Sequence, residues 1–302
     1  MHISQGIEEY LEYKQAQRLS PRTLEDYVGV LERFARQIDK TEIEEIGVKD
    51  IRKFLASLSV SKKRVKNIHI TLSSFWTWAV NEGVCDIHIP RLIKPPKPEK
   101  RVIVPIDKYE VQKMLHVVDL NFLRGKQSVA LSDRQISNAR RDQAIIFFLL
   151  DTGVRASELC HLRFGDIALQ GALVHGKGAK DRIVPLSGKT RECMYEYTSL
   201  RQHGTNEFVF LSQYNRPLSS DTLGGIIGRV SKRAVLTNIH PHRFRHTFAI
   251  NFLRNGGDIF SLQNILGHET LDMVKRYLAI AQIDIQAAHR KASPVVNWNL
   301  GR

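Results

Sequence analysis

The chain has 302 residues, 42% of them apolar and 25% charged, which suits a globular protein with room for two cores. Its longest apolar run, Ala144 to Leu150, is far short of the ~20 residues of a membrane span, and Met1 to Gly6 shows no signal-peptide pattern. The net charge of +14 favours a polyanionic partner, nucleic acid before a membrane surface, because no long basic amphipathic helix with an aromatic face stands out.

The first segment reads as a helix, with Ile7, Tyr10, Leu11 and Tyr13 roughly on one face. Ser20-Pro21-Arg22-Thr23 is a helix start, with Ser20 as N-cap and Pro21 in the first turn. Val28, Leu31, Phe34, Ala35 and Ile38 follow at helical spacing. Val48–Leu58 and Val65–Val80 give a third and a fourth helix, so the N-terminal part is a small all-α domain. From Arg52 to Lys66 the basic residues Arg52, Lys53, Lys62, Lys63, Arg64 and Lys66 meet no acidic one. They form either a solvated face or a stripe that meets phosphates.

Pro90 to Arg101 holds four prolines and reads as an extended linker. Its Lys97 and Lys100 suit a strap along a polyanion. The expected division is 1–90, a linker over 91–104, a second domain over 105–285 and a tail over 286–302. Both parts are cationic, residues 1–104 by +4 and 105–302 by +10, as a chain enclosing a duplex would be.

The second domain opens with a helix near Lys108–Val117. Asn121 to Asn138 is polar without a periodic signal, and it reads as an irregular insertion. Arg141–Thr152 is a buried helix broken at Gly153. Ala172–His175 and Arg182–Leu186 flank Gly176 to Asp181 as a hairpin with a glycine-rich turn. The rest is helical. Pro241 and Gly256-Gly257 bracket one helix, Asp258–Leu266 is a second stopped at Gly267, and Thr270 caps a third over Leu271–Ala281. The fold expected is mainly α with a small β-hairpin. Cys85, Cys160 and Cys193 are scattered and odd in number, which points to reduced thiols in the cytoplasm.

A set of residues in this second half has the parts for phosphodiester transfer. That chemistry needs charge on the non-bridging oxygens, an in-line nucleophile and a proton for the leaving oxygen. Arginine meets the first need without a metal, because its planar fork binds two oxygens and stays charged. Arg155 follows a glycine at a helix junction, and Arg245 lies three residues after His242 on one helix face. Lys177, flanked by glycines, can reach a leaving oxygen, and Lys180 is the neighbouring candidate. His242 and His246 also have metal-ligand spacing, but Arg243 and Arg245 would repel a cation and no carboxylate or cysteine completes a set. Tyr277 lies beside Arg276, which favours phenolate.

Thr152 to Leu159, Gly176-Lys177-Gly178, His242-Arg243-Phe244-Arg245-His246, Leu266-Gly267-His268 and Tyr277, nine residues after that histidine, together resemble the tyrosine recombinases. These are also called phage-integrase-type site-specific recombinases. The likeness runs from about Ile7 to Ala281. It implies a SAM-like helical core-binding domain and a mostly helical catalytic domain. It implies that Arg155 and Arg245 clamp the phosphate, His242 is general base or proton relay, Lys177 is general acid and His268 bonds the phosphate. Tyr277 would form a 3′-phosphotyrosine, and Glu158 and His246 would support the shell. No metal and no ATP would be needed.

The same likeness implies double-stranded DNA with inverted-repeat core sites as the partner. A homotetramer would act on two duplexes in the nucleoid, and Val295, Val296 and Trp298 of the tail belong either to a frayed terminus or to an arm that docks on a neighbouring protomer. The chain starts almost directly with core-binding helices, so the expected type is Xer-like, without an arm-binding domain.

Overall fold

Side-chain caps fix where the first helices begin. The chain is described here as a computed structural model covering residues 1–98, 103–125, 130–176, 181–201, 206–281, 289 and 293–298. It divides into two units, Met1–Val102 and Ile103–Arg302.

In the first unit, α1 (Ile3–Ala16) packs on α2 (Pro21–Gln37), where Ser20 Oγ accepts the Thr23 N–H at 3.3 Å. Helix α3 (Val48–Ser57) starts at Gly47, whose N–H donates to Asp50 Oδ2 at 2.7 Å. Helix α4 (Lys62–Asn81) starts three residues earlier than the apolar period suggests, because Ser61 Oγ accepts the Arg64 N–H. Lys62, Lys63, Arg64 and Lys66 therefore belong to a helix and not to the connection before it.

The core takes Tyr10, Leu31, Phe34, Ile51, Leu72, Phe75 and Trp76 from these four helices. Burying such side chains contributes roughly 1.5–3 kcal/mol each. Two short 3₁₀ turns, Ile43–Glu45 and Ile89–Leu92, were not legible as elements. Residues 90 to 93 belong to this unit's packing. His69 Nε2 lies 2.9 Å from the carbonyls of both Pro90 and Ile93, and the Ile93 side chain is buried.

The second unit begins with α5 (Lys108–Val118), started by a reciprocal cap between Asp107 and Glu110. The stretch expected to be irregular holds α6 (Leu120–Gly125) and the start of α7 (Asp133–Thr152). Ser132 and Gln135 cap α7 reciprocally, and its first residues are polar because they face solvent, which hides the helical period. Residues 126–129 lie outside the described set.

Helix α8 (Ala156–Cys160) leads to a three-stranded antiparallel sheet, β1 (Ile167–Ala168), β2 (Gly171–Val174) and β3 (Arg182–Val184), in that order. Ala172 faces Val184 and Val174 faces Arg182. β1 is too short for a sequence period to reveal it. Helices α9 (Gly188–Ser199) and α10 (Ser220–Arg233) cover α7. Helices α11 (Pro241–Arg254), α12 (Ile259–Leu266) and α13 (Leu271–Ala281) close the unit around Ile250, Leu262, Leu266, Val274 and Tyr277. A last turn spans Pro294–Asn297. No helix among the described residues is long and apolar enough to cross a membrane.

Candidate active site

Two left-handed glycines aim backbone carbonyls at one place. Helix α7 ends at Gly153 (φ +62°) and α12 at Gly267 (φ +63°). A Cβ on Gly153 would lie 2.4 Å from Phe248 Cδ1, so only glycine lets the α7 end approach α11 this closely. The Gly153 carbonyl accepts from Arg245 Nη1 at 2.9 Å, and the Leu266 carbonyl accepts from Arg245 Nη2 at 2.7 Å. Arg245 is thus buried on carbonyls rather than on a carboxylate. Burial and the nearby Arg155 bring its guanidinium down to about 10.

Arg155 is the N-cap of α8, and its N–H and Nη1 donate to the Glu158 carboxylate at 2.7 and 2.8 Å. Its Nη2 donates to the Gly267 carbonyl at 3.3 Å. The side chain stays 35% exposed, so one edge of the guanidinium is open to a ligand. Arg182 on β3 forks onto the same carboxylate at 3.0 and 2.9 Å, and its Nε donates to the Ile265 carbonyl at 2.6 Å. Burial would raise the Glu158 carboxyl, but the Arg182 fork and the Arg155 N–H hold it at about 2. Arg155 and Arg182 therefore share one carboxylate, and with Arg245 beside them the centre is net positive, which attracts an anion.

Beside this centre stands the phenol. Tyr277, 5% exposed on α13, is 2.9 Å from His246 Nδ1 through its hydroxyl. Burial raises the phenol above its ordinary value, and Arg245, Arg276 and Arg155 offset part of that. Burial, with His242, His240 and Arg245 nearby, lowers His246, so its ring is neutral near pH 7 and Nδ1 can accept the phenolic proton. His268 stacks on the Tyr277 ring at 6.4 Å between centroids, and its buried Nδ1 has no hydrogen-bond partner among the described residues. Burial, Arg245 and Arg155 bring it to about 4, so it is neutral. Desolvation and the same two arginines lower His242, which is exposed on α11 one turn before His246.

The structure brings together Arg155, Glu158, His242, Arg245, His246, His268 and Tyr277. The sequence places His246 only in support, whereas its ring is the one bonded to the phenol. A spacing of four residues puts both histidines on one face, and the sequence does not tell which ring meets Tyr277. Arg182 was missed, because nothing local ties a strand residue to a glutamate 24 positions away. Lys177, Lys180 and Lys100 lie outside the described residues.

Arg52, Lys53, Lys62, Lys63, Lys66 and Lys97 are exposed on the first unit, whereas the arginine cluster belongs to the second. Arg64, on the same helix as Lys62, Lys63 and Lys66, is half-buried and forks onto Asp26 at 2.8 and 3.3 Å. Among the described residues no group of His, Cys, Asp and Glu is placed to hold a metal ion.

Residues 121–282 match the model of the phage integrase family, and residues 7–85 match the phage integrase N-terminal SAM-like domain. The chain belongs to the phage integrase family. It is a tyrosine recombinase, mostly helical with the small sheet described above. Among curated relatives it is 32% identical to "Tyrosine recombinase XerC" of Oceanobacillus iheyensis, covering 97% of each chain.

Two solved structures share its fold. A XerH site-specific recombinase bound to palindromic difH substrate aligns with TM-score 0.71 at 21% identity, over 95% of this chain and 82% of that one. A lambda integrase tetramer bound to a Holliday junction aligns with TM-score 0.72 at 19% identity, over 89% and 78%.

Proposed function

We propose that this recombinase cleaves and rejoins DNA at specific sites through a covalent 3′-phosphotyrosine on Tyr277. The observation that carries the reading is the 2.9 Å hydrogen bond from the Tyr277 hydroxyl to a neutral His246, next to a buried arginine held by two backbone carbonyls. A nucleophile with a proton acceptor, set at a cationic centre, is the equipment for attack on a phosphodiester.

In this mechanism Arg155 and Arg245 bind the non-bridging oxygens, and His268 Nδ1 adds a hydrogen bond. Tyr277 Oη forms a bond to phosphorus as the bond to O5′ breaks. The phenolic proton passes to His246, with His242 as relay. Lys177 gives a proton to O5′. The 5′ hydroxyl of another strand reverses the step, and the exchange conserves the number of phosphodiester bonds. Glu158 and Arg182 hold Arg155 in place.

The partner is duplex DNA carrying inverted core sites, held by an N-terminal core-binding domain and a C-terminal catalytic domain. The exposed basic residues of α3 and α4 meet its backbone. The assembly is a homotetramer on two duplexes, a reading supported by the lambda integrase tetramer bound to a Holliday junction, with the tail around Trp298 docked on the next protomer. The biological task falls within integration and excision, resolution or inversion of DNA.

A nicked suicide duplex tests this directly. Wild type is expected to trap a covalent protein–DNA adduct, and Tyr277→Phe to bind with similar affinity and trap none. An adduct with Tyr277→Phe would move the nucleophile elsewhere. Binding by wild type without an adduct would make the chain a DNA-binding protein only. Exchange between two labelled duplexes separates recombination from simple relaxation.

A further inference from the structure

Helix α11 carries His242, Arg245 and His246, yet its N-cap, His240, makes no side-chain capping bond. Helices α2, α5, α7, α10 and α12 all begin on such a bond. A first turn without one is held less firmly. Arg243, in that turn, supplies contacts of another kind. Its Nε donates to the Val104 carbonyl at 3.1 Å and its Nη2 to the Pro105 carbonyl at 3.2 Å. Nη2 also donates to Glu110 Oε2 at 2.8 Å, and Nη1 to the Thr237 carbonyl at 3.5 Å. One turn on, Thr247 Oγ1 donates to the Arg243 carbonyl at 2.7 Å and accepts the Ile106 N–H at 2.7 Å. Three successive residues, Val104, Pro105 and Ile106, are thereby bonded to α11.

The opposite side of the helix is held as well. Residues two apart on a helix differ by about 200° in direction, so Arg243 and Arg245 point nearly opposite ways. Arg245 hangs on the carbonyls of Gly153 and Leu266, and Arg243 on those of Val104 and Pro105. Between them they fix the rotation of α11 about its own axis. A rotation of about 10° moves a side chain ~5–6 Å from that axis by about 1 Å. A misplacement of that size can cost ~10²-fold in rate. Glu110 is itself anchored, since its Oε2 accepts the Asp107 N–H at 3.0 Å in the α5 cap.

We propose that Arg243 is a positioning residue for strand cleavage. By mooring the first turn of α11 to residues 104–106 and to the α5 cap, it fixes the aim of His242 and Arg245 at the phosphate. The inference rests on the reading of those two residues as cleavage machinery. Two other roles compete: a cation that meets a DNA phosphate, and an ion pair that adds stability alone. Against the first, the Arg243 side chain is only 13% exposed and all three of its guanidinium nitrogens already have acceptors.

The test uses the full chain and single-turnover cleavage of a suicide duplex at saturating protein, well below the thermal midpoint of every variant. Arg243→Ala is expected to cleave about tenfold more slowly, with DNA affinity and its salt dependence as in wild type. Arg243→Lys should be slow too, because one ammonium cannot span two carbonyls and a carboxylate as the planar fork does. The double variant Arg243→Ala/Glu110→Gln should be no slower than Arg243→Ala, since both belong to one mooring. A wild-type rate for Arg243→Ala, even with a lowered midpoint, leaves only stability and overturns the inference. So does a wild-type rate for Arg243→Lys, which makes charge alone sufficient. A salt line flattened by about 1 unit in Arg243→Ala overturns it in favour of a phosphate contact. Arg245→Ala separates the two readings. If it is slow while Arg243→Ala is not, only the role of Arg243 falls. If Arg245→Ala cleaves at the wild-type rate, the reading of the site falls and takes the inference with it.

Discussion

At the residue scale, the bond between His246 and Tyr277 sets a pH dependence. His246 is lowered from the usual 6.5 by burial and by His242, His240 and Arg245. Only its neutral form accepts the phenolic proton. Cleavage is therefore expected to be level near pH 7 and to fall as pH drops through this lowered value, with an acid limb below pH 6.5. A pH–rate profile of adduct formation checks this, and a limb centred above that value rules the assignment out. His246→Ala should lose roughly 10²-fold in rate with little change in DNA affinity.

Much of this cluster could be read from one dimension, because the motifs that carry Arg155, Arg245, His268 and Tyr277 together resemble those of the tyrosine recombinases. What could not be read is the choice between two histidines on one face, or the Arg182 fork on Glu158. Both depend on distances that only folding creates.

At the element scale, the helix ends do the positioning. Gly153 terminates α7 in the left-handed region, gives its carbonyl to Arg245 and lets α7 approach Phe248. Gly153→Ala would place a methyl group 2.4 Å from that ring, in a backbone conformation alanine disfavours. We expect a loss of about 1–3 kcal/mol, read as a lower thermal midpoint. The cleavage rate of the folded fraction should fall as well, because Arg245 is hung on that carbonyl.

Elements with a clear start signal and a long period, such as α2 with its Ser20 cap and α11 with Pro241 in its first turn, could be read in advance. The two 3₁₀ turns and β1 are too short to carry a period. The polar start of α7 was hidden because its outward face is polar, so the Ser132–Gln135 cap was the only usable sign.

At the scale of the whole molecule, the net charge of +14 makes affinity for DNA a matter of released counterions. The logarithm of the binding constant should fall linearly with the logarithm of salt concentration. Arg52→Ala and Lys53→Ala should each flatten that line by about 1 unit if each meets a phosphate. Arg64→Ala should flatten it less, because Asp26 already answers its charge. Fluorescence anisotropy over a salt series measures all three slopes, and equal effects would show that Arg64 leaves Asp26 to reach the DNA. The Pro-rich stretch signalled two bodies in the sequence. It could not show that Pro90 and Ile93 are tied to His69, because that tie is made by two backbone carbonyls and no side-chain pattern marks it.

The seclusion of Tyr277 bears on the fate of any bond it makes. An ester formed on that oxygen would sit under the rings of His246 and His268, where bulk water has little access. Hydrolysis would break the strand for good, whereas a sugar hydroxyl delivered by the DNA itself would reseal it. If Tyr277 is the nucleophile proposed above, its burial would favour a long-lived joint over an accidental cut and would let the enzyme wait for the correct end.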